Sequence, residues 1–220
     1  MNAGLGSRNL SRVGLFPLPN VVLFPSQLLA LHVFEPRYRR LIRDALAQGL
    51  LIAVPRLKPG FDADYYGAPP VFATAGIGEI REHSELPDGC YNIVVHGLGR
   101  VRLIEELRGE PYRVARVEAL PAVVPSAPVT EGLRAELAKQ VRRIAPHLSG
   151  PVQNLESRLS GDAGECADIV AGALIEDPNQ RQELLEELDP SRRLSWLIAH
   201  LHGHAARKLV PQREAPESWN

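Results

Sequence analysis

Three groups of residues in this 220-residue chain have types and spacing that invite chemistry. The first is His200, His202 and His204, an H-x-H-x-H run of imidazoles. On a helix only the first and third would share a face, and no cysteine or carboxylate follows at ligand spacing. Two imidazoles make a poor closed metal site, so a solvated helix end is the better reading and no metal is expected. The second is the run His32, Glu35, Arg37, Tyr38 and Arg39, which holds an acid, a base and several cations. Its plainer reading is structural: Glu35 and Pro36 start a helix, Tyr38 packs inward, and the arginines form local ion pairs. The third is an arginine edge, Arg37, Arg39, Arg40 and Arg43, able in principle to touch phosphates. Glu35 and Asp44 dilute it, and the flanking aromatics that stack on bases are sparse, which disfavours nucleic acid.

Absent motifs narrow the function classes. A phosphate-cradling loop needs G-x-x-x-x-G-K-[ST], yet the only lysines are Lys58, Lys139 and Lys208, and none follows a glycine. G-x-S-x-G, H-E-x-x-H and a full G-x-G-x-x-G are also missing. The pairs Gly76/Gly78 and Gly97/Gly99 lie in strand-like surroundings, where glycine marks a bulge or a close backbone approach. No cofactor is expected, and the chain reads as a non-enzyme.

The elements that would position such residues centre on 15–46, LFPLPNVVLFPSQLLALHVFEPRYRRLIRDAL. Pro17, Pro19 and Pro25 bar a helix or a regular central strand, although the stretch is among the most apolar in the chain. Leu29, Leu31 and Val33 then alternate with Ala30 and His32, the period of a half-buried strand. Pro36 opens a helix that Gly49 stops. Residues 50–57 read as a buried strand, and 58–70 as a loop that holds Phe61, Tyr65 and Tyr66. Strands follow at 71–82, 90–98, 100–107 and within 112–120, with Pro87-Asp88-Gly89 as a turn and a kink expected at Gly97/Gly99. Past the proline-rich stretch 121–129 the period becomes helical. Asp162 with Glu165, Asp177 before Pro178, and Asp189 before Pro190 mark helix starts. The division expected is a β-rich subdomain over 12–120, a linker at 121–129 and a helical bundle over 130–210, with incomplete packing between the two parts.

Composition is ordinary for a soluble globular protein: 45% hydrophobic, 23% charged, net charge −1. Nothing global draws the chain to nucleic acid or an anionic membrane. Cys90 and Cys166 are far apart and demand no disulfide, and no apolar run approaches a membrane span or a secretion signal. A cytoplasmic location is expected.

PLPNVVLFP followed by LLALHVFEPRYRRLI resembles the opening of the Lon N-terminal domain, the substrate-recognition region of the ATP-dependent protease Lon. VFATAGIGEI, DGCYNIVVHGLGRVRL, PYRVARVEAL and ADIVAGALIEDPNQRQELLEELDPSRRLSWL continue the resemblance, which covers roughly 12–203. It implies an α+β fold: a PUA-like antiparallel β pseudo-barrel with one helix, then a small C-terminal helical bundle. It further implies a polypeptide-binding module without the motor or the protease. Its partners would be unfolded or partly folded polypeptide, or a protease or chaperone component. PUA-like folds include RNA binders, the alternative reading. An exposed apolar site is required, and the candidates are Phe24, Phe61, Tyr65 and Tyr66.

Overall fold

The computed structural model describes residues 5–209 apart from 7, 65–66, 108–110, 125, 149–151 and 153; for 63, 64, 147 and 204–209 only the backbone is described. Six strands form one sheet: β1 (Val13–Leu15), β2 (Leu28–Val33), β3 (Ile52–Val54), β4 (Thr74–Glu85), β5 (Tyr91–Leu107) and β6 (Val114–Ala119). Their order is β2-β5-β4-β3-β1-β6, and β6 also pairs with β5, so the last five close into a barrel. All pairings are antiparallel except β1 with β3, which is parallel. Helix α1 (Pro36–Gln48) lies between β2 and β3 in sequence. The bundle consists of α2 (Ala127–Ile144), α3 (Ala163–Leu174), α4 (Pro178–Glu186) and α5 (Pro190–Leu209).

Closure of so small a barrel requires strands that bend. Register shifts fall between Ile77 and Gly78, between Ile80 and Glu82, and between Leu103 and Glu105. β5 is one continuous 17-residue strand through Gly97 and Gly99, not two strands with a kink between them. Its first half pairs with β2 and its second half with β6, so the strand itself carries the curvature. The barrel interior is Val13, Leu15, Ala53, Ala75, Ile77, Val101 and Val117, with their neighbours. Helix α1 covers a second cluster with Tyr38, Leu41, Ile42 and Ala45. Gly49 ends α1 at φ 61°, where its N–H returns to the Ala45 carbonyl.

The proline-rich opening segment is neither helix nor regular strand, as its prolines require, and it lies against the sheet. A Cβ at Gly76 would overlap the Leu23 carbonyl, and one at Gly97 would overlap that of Phe24. These two glycines therefore let another backbone approach the sheet at contact distance. Pro25 and Ser26 (φ 60°) then turn the chain into β2, and the Phe24 amide donates to Gln27 Oε1 at 3.0 Å.

The segment joins the two halves of the molecule. Phe16 and Leu23 belong to the cluster under α1, whereas Val22 and Phe24 belong to the bundle core with Leu137, Val170, Leu185 and Leu197. Polar ties reinforce the joint. Arg56 donates to the Pro178 carbonyl (3.0 Å) and Asn179 Oδ1 (2.8 Å), Arg181 to the Val22 carbonyl (3.2 Å), and Gln182 to the Thr74 carbonyl (3.1 Å). The expectation of incomplete packing is thus corrected: barrel and bundle share a core. The connector also ends earlier than expected, because α2 begins at Ala127 with Pro128 in its first turn, where the missing N–H costs nothing.

Candidate functional site

β2 is the one strand of the described sheet with a single neighbour. It pairs with β5 along its whole length and with no other described strand. Its alternation sets two faces: Leu29, Leu31 and Val33 turn toward the core under α1, while Leu28, Ala30 and His32 are exposed. Leu28 is 63% exposed, and Phe34, just past the strand, is 62% exposed. Large apolar side chains thus mark both ends of the open edge. Beside the edge, a shallow depression of about 440 Å³ is lined by Ala30, His32, Asn92, Val94, Glu82 and Ser84. Within it His32 Nδ1 lies 2.8 Å from Asn92 Oδ1.

The β2–α1 corner accounts for the acid–base set singled out in the sequence. Glu35 holds Arg37 at 3.0 Å, and Arg37 also donates to the Gly67 carbonyl at 3.3 Å, which brings the end of loop 58–70 to this corner. Tyr38 is buried and stacks on Phe16 with ring centroids 4.4 Å apart. His32 and Glu35 are thus engaged in separate networks, and the set is not assembled around one reacting centre. Arg40 pairs with Asp44 at 3.0 Å, so the arginine edge is partly neutralised.

Of the apolar candidates, Phe24 is corrected. Its ring is fully buried in the bundle core with the Arg181 guanidinium 5.8 Å above it, so it cannot meet a ligand at the surface. A phenylalanine in a proline-rich turn looks like a surface aromatic only while the helices that cover it are out of view. Phe61 is half-buried, at the start of a 3-10 turn over Phe61–Asp64. Tyr65 and Tyr66 lie outside the described residues. Sequence reasoning missed Leu28 and Phe34. The signal was present, since the phase that turns Leu29, Leu31 and Val33 inward turns Leu28 outward with Ala30 and His32.

A second cleft, about 680 Å³, separates the start of β2 from α3 and is lined by Gln27, Leu28, Arg81, His96, Ile169 and Gly172. Asp168 at its base belongs to a buried network. Arg100 of β5 grips Asp168 through two bonds of 2.8 and 2.6 Å and donates through Nε to the Leu185 carbonyl at 2.8 Å. Arg193 of α5 approaches the same carboxylate at 3.3 Å and donates to the Glu187 carbonyl at 2.8 Å. Desolvation pushes the Arg193 guanidinium down to about 10 despite the Asp168 charge, so it stays protonated at neutral pH. Held by Arg100 and ion-paired with Arg193, Asp168 is a fastener between barrel and bundle.

His200 stacks on Trp196 (centroids 4.9 Å apart), and His202 lies 3.9 Å from Glu136; the side chain of His204 is outside the described set. Among the described residues no three His, Cys, Asp or Glu side chains converge as a metal site. Cys90 and Cys166 are both buried, and burial raises both thiols above the ordinary range. No described helix is long and apolar enough to cross a membrane.

Comparison with known proteins places this architecture. The family model described as the ATP-dependent protease La (LON) substrate-binding domain matches residues 12–203. The Lon protease of Roseiflexus castenholzii is 32% identical over 192 residues, covering 85% of this chain and 23% of that protein. The Lon protease of Dictyoglomus thermophilum is 28% identical over 189 residues, covering 85% and 24% respectively. The chain therefore spans about a quarter of the length of these relatives. Among solved structures, a Lon N-terminal domain protein from Xanthomonas campestris is similar at TM-score 0.64 and 27% identity, covering 86% of this chain and 98% of that one. The N-terminal domain of a Mycobacterium avium complex Lon protease shares the fold at TM-score 0.67 and 18% identity, covering 88% and 100%. The barrel, its single covering helix and the bundle locked onto it are those of the Lon substrate-binding domain family, to which this chain belongs.

Proposed function

We propose that this chain is a non-enzymatic polypeptide-binding module that recognises unfolded or partly folded chains in the cytoplasm. The observation that carries this reading is the exposure of Leu28 and Phe34 at the two ends of an open strand edge, in a member of a substrate-binding family. Unfolded chains display apolar side chains that folded ones hide, so a module that selects them needs apolar surface of its own. The barrel part supplies that surface, and the bundle braces it through the Arg100–Asp168 bond. Phe61, Tyr65 and Tyr66 in loop 58–70 remain candidates for the same surface, because Arg37 in the first turn of α1, three residues after Phe34, holds Gly67 of that loop. The missing phosphate-loop lysine supports a role without ATP hydrolysis.

Apolar burial contributes about 25 cal/mol per Å² and is offset by the ordering of the bound chain, so affinity should be on the order of micromolar or weaker. The test is calorimetric titration with one model protein in its native form and in a permanently unfolded, reduced and alkylated form. Binding of the unfolded form alone, with loss on Tyr65→Ala/Tyr66→Ala or on Leu28→Ser/Phe34→Ser at unchanged melting temperature, is expected. Equal binding of both forms, or of neither, refutes the reading.

A further inference from the structure

Sheet edges are templates for further pairing, and native proteins blunt them with lysines, prolines, bulges or a covering element. The β2 edge has none of these. Its sequence LLALHV carries no proline, aspartate, glutamate, lysine or arginine. Its register against β5 runs unbroken from Leu28↔His96 to Val33↔Tyr91, whereas β4–β5 and β5–β6 are both bulged. Among the described residues no helix or strand runs along its outer side. The strand is six residues long, about 20 Å of open backbone. The rows behind it are in register: Ala30 lies opposite Val94, and Val94 opposite Glu82. Glu82 of that row is exposed, two strands in from the edge, and Arg81 beside it is exposed as well.

From this edge we infer that polypeptide is held as an added β-strand on β2, by a segment that is extended and apolar. The inference rests on the polypeptide-binding reading and specifies its mode. Main-chain hydrogen bonds along β2 supply affinity without regard to sequence, as they do wherever a peptide augments a sheet. Leu28 and Phe34 cover the apolar side chains at the two ends of the segment. Unfolded chains offer such segments wherever a buried strand of their native fold is exposed.

The test uses the full chain and a fluorescent nonapeptide of alternating valine and threonine with a lysine at each end. It is compared with the same peptide N-methylated at consecutive central amides, which keeps the side chains and removes the donors. Hydrogen exchange should slow at amides within 28–33 when the parent peptide binds. N-methylation should weaken binding tenfold or more, as should Ala30→Lys, which puts a charge on the exposed edge. If the parent binds and neither N-methylation nor Ala30→Lys changes its affinity, strand addition is overturned while the polypeptide reading stands. If neither the peptide nor an unfolded protein binds, the underlying reading has failed as well. Protection of 28–33 that grows with protein concentration alone, with a dimeric mass, would assign the edge to a second copy and overturn the proposal.

Discussion

Replacing Asp168 with alanine should cost far more stability than any surface ion pair in this protein. The carboxylate is 3% exposed and faces Arg100 and Arg193, themselves 5% and 1% exposed. Its removal strands two guanidinium groups in a medium that solvates them poorly, and unpairing a buried charge costs about 3–5 kcal/mol. Total stability of a domain is only about 5–15 kcal/mol, so this is a large fraction of it. At about 2–4 °C per kcal/mol for a chain of this size, the melting temperature should fall by roughly 6–20 °C. Glu105→Ala is the control, since its 3.5 Å pair with Arg116 is half exposed on both sides and is worth at most about 1 kcal/mol. Asp168→Asn keeps the shape and isolates the charge. The assay is urea unfolding followed by tryptophan fluorescence, which reports the bundle through Trp196, and by far-ultraviolet dichroism, which reports both halves. Coincident transitions that shift together are expected. A loss below about 1 kcal/mol, or separate melting of barrel and bundle in the wild type, would refute the claim that this network fastens them.

Other outcomes follow from the same packing. Gly76→Ala sets a methyl group against the Leu23 carbonyl, which is backbone and cannot swing away, so a loss of about 3 kcal/mol is expected in chemical denaturation. Gly132→Ala, in the exposed interior of α2 with open space around it, should instead stabilise by about 0.5–1 kcal/mol. Burial raises the Cys90 and Cys166 thiols, so a disulfide-exchange reagent at pH 8 should label neither in the native protein and both in denaturant; rapid native labelling would contradict the burial.

Local chemistry was readable from the sequence to the extent that its causes are local. Asp162, Asp177 and Asp189 each cap a helix, accepting at 2.8 Å from the amides of Glu165, Asn179 and Ser191. Pro36 and Gly49 bound α1 where they were expected to. The strand glycines do mark close backbone approach, at Gly76 and Gly97. What escaped is decided by residues far apart in the chain. Arg100 and Asp168 are separated by 68 positions, and nothing in strand periodicity says that an arginine on the barrel's outer face will be roofed by helices. The same roof explains Phe24, whose burial depends on α3 and α5. The exposed edge was hidden for the opposite reason: its alternation was legible, but which strand stands last in the sheet depends on the pairing of all six.

The central claim is that an open apolar edge at β2 selects unfolded polypeptide. The most direct measurement is fluorescence anisotropy of a labelled, permanently unfolded protein titrated with this chain in the absence of ATP, comparing wild type with Leu28→Ser/Phe34→Ser. The account predicts saturable binding on the order of micromolar to tens of micromolar for the wild type. It also predicts at least a tenfold loss in the double variant, with the melting temperature little changed because both side chains are already more than half exposed. Equal binding by the two proteins would contradict it.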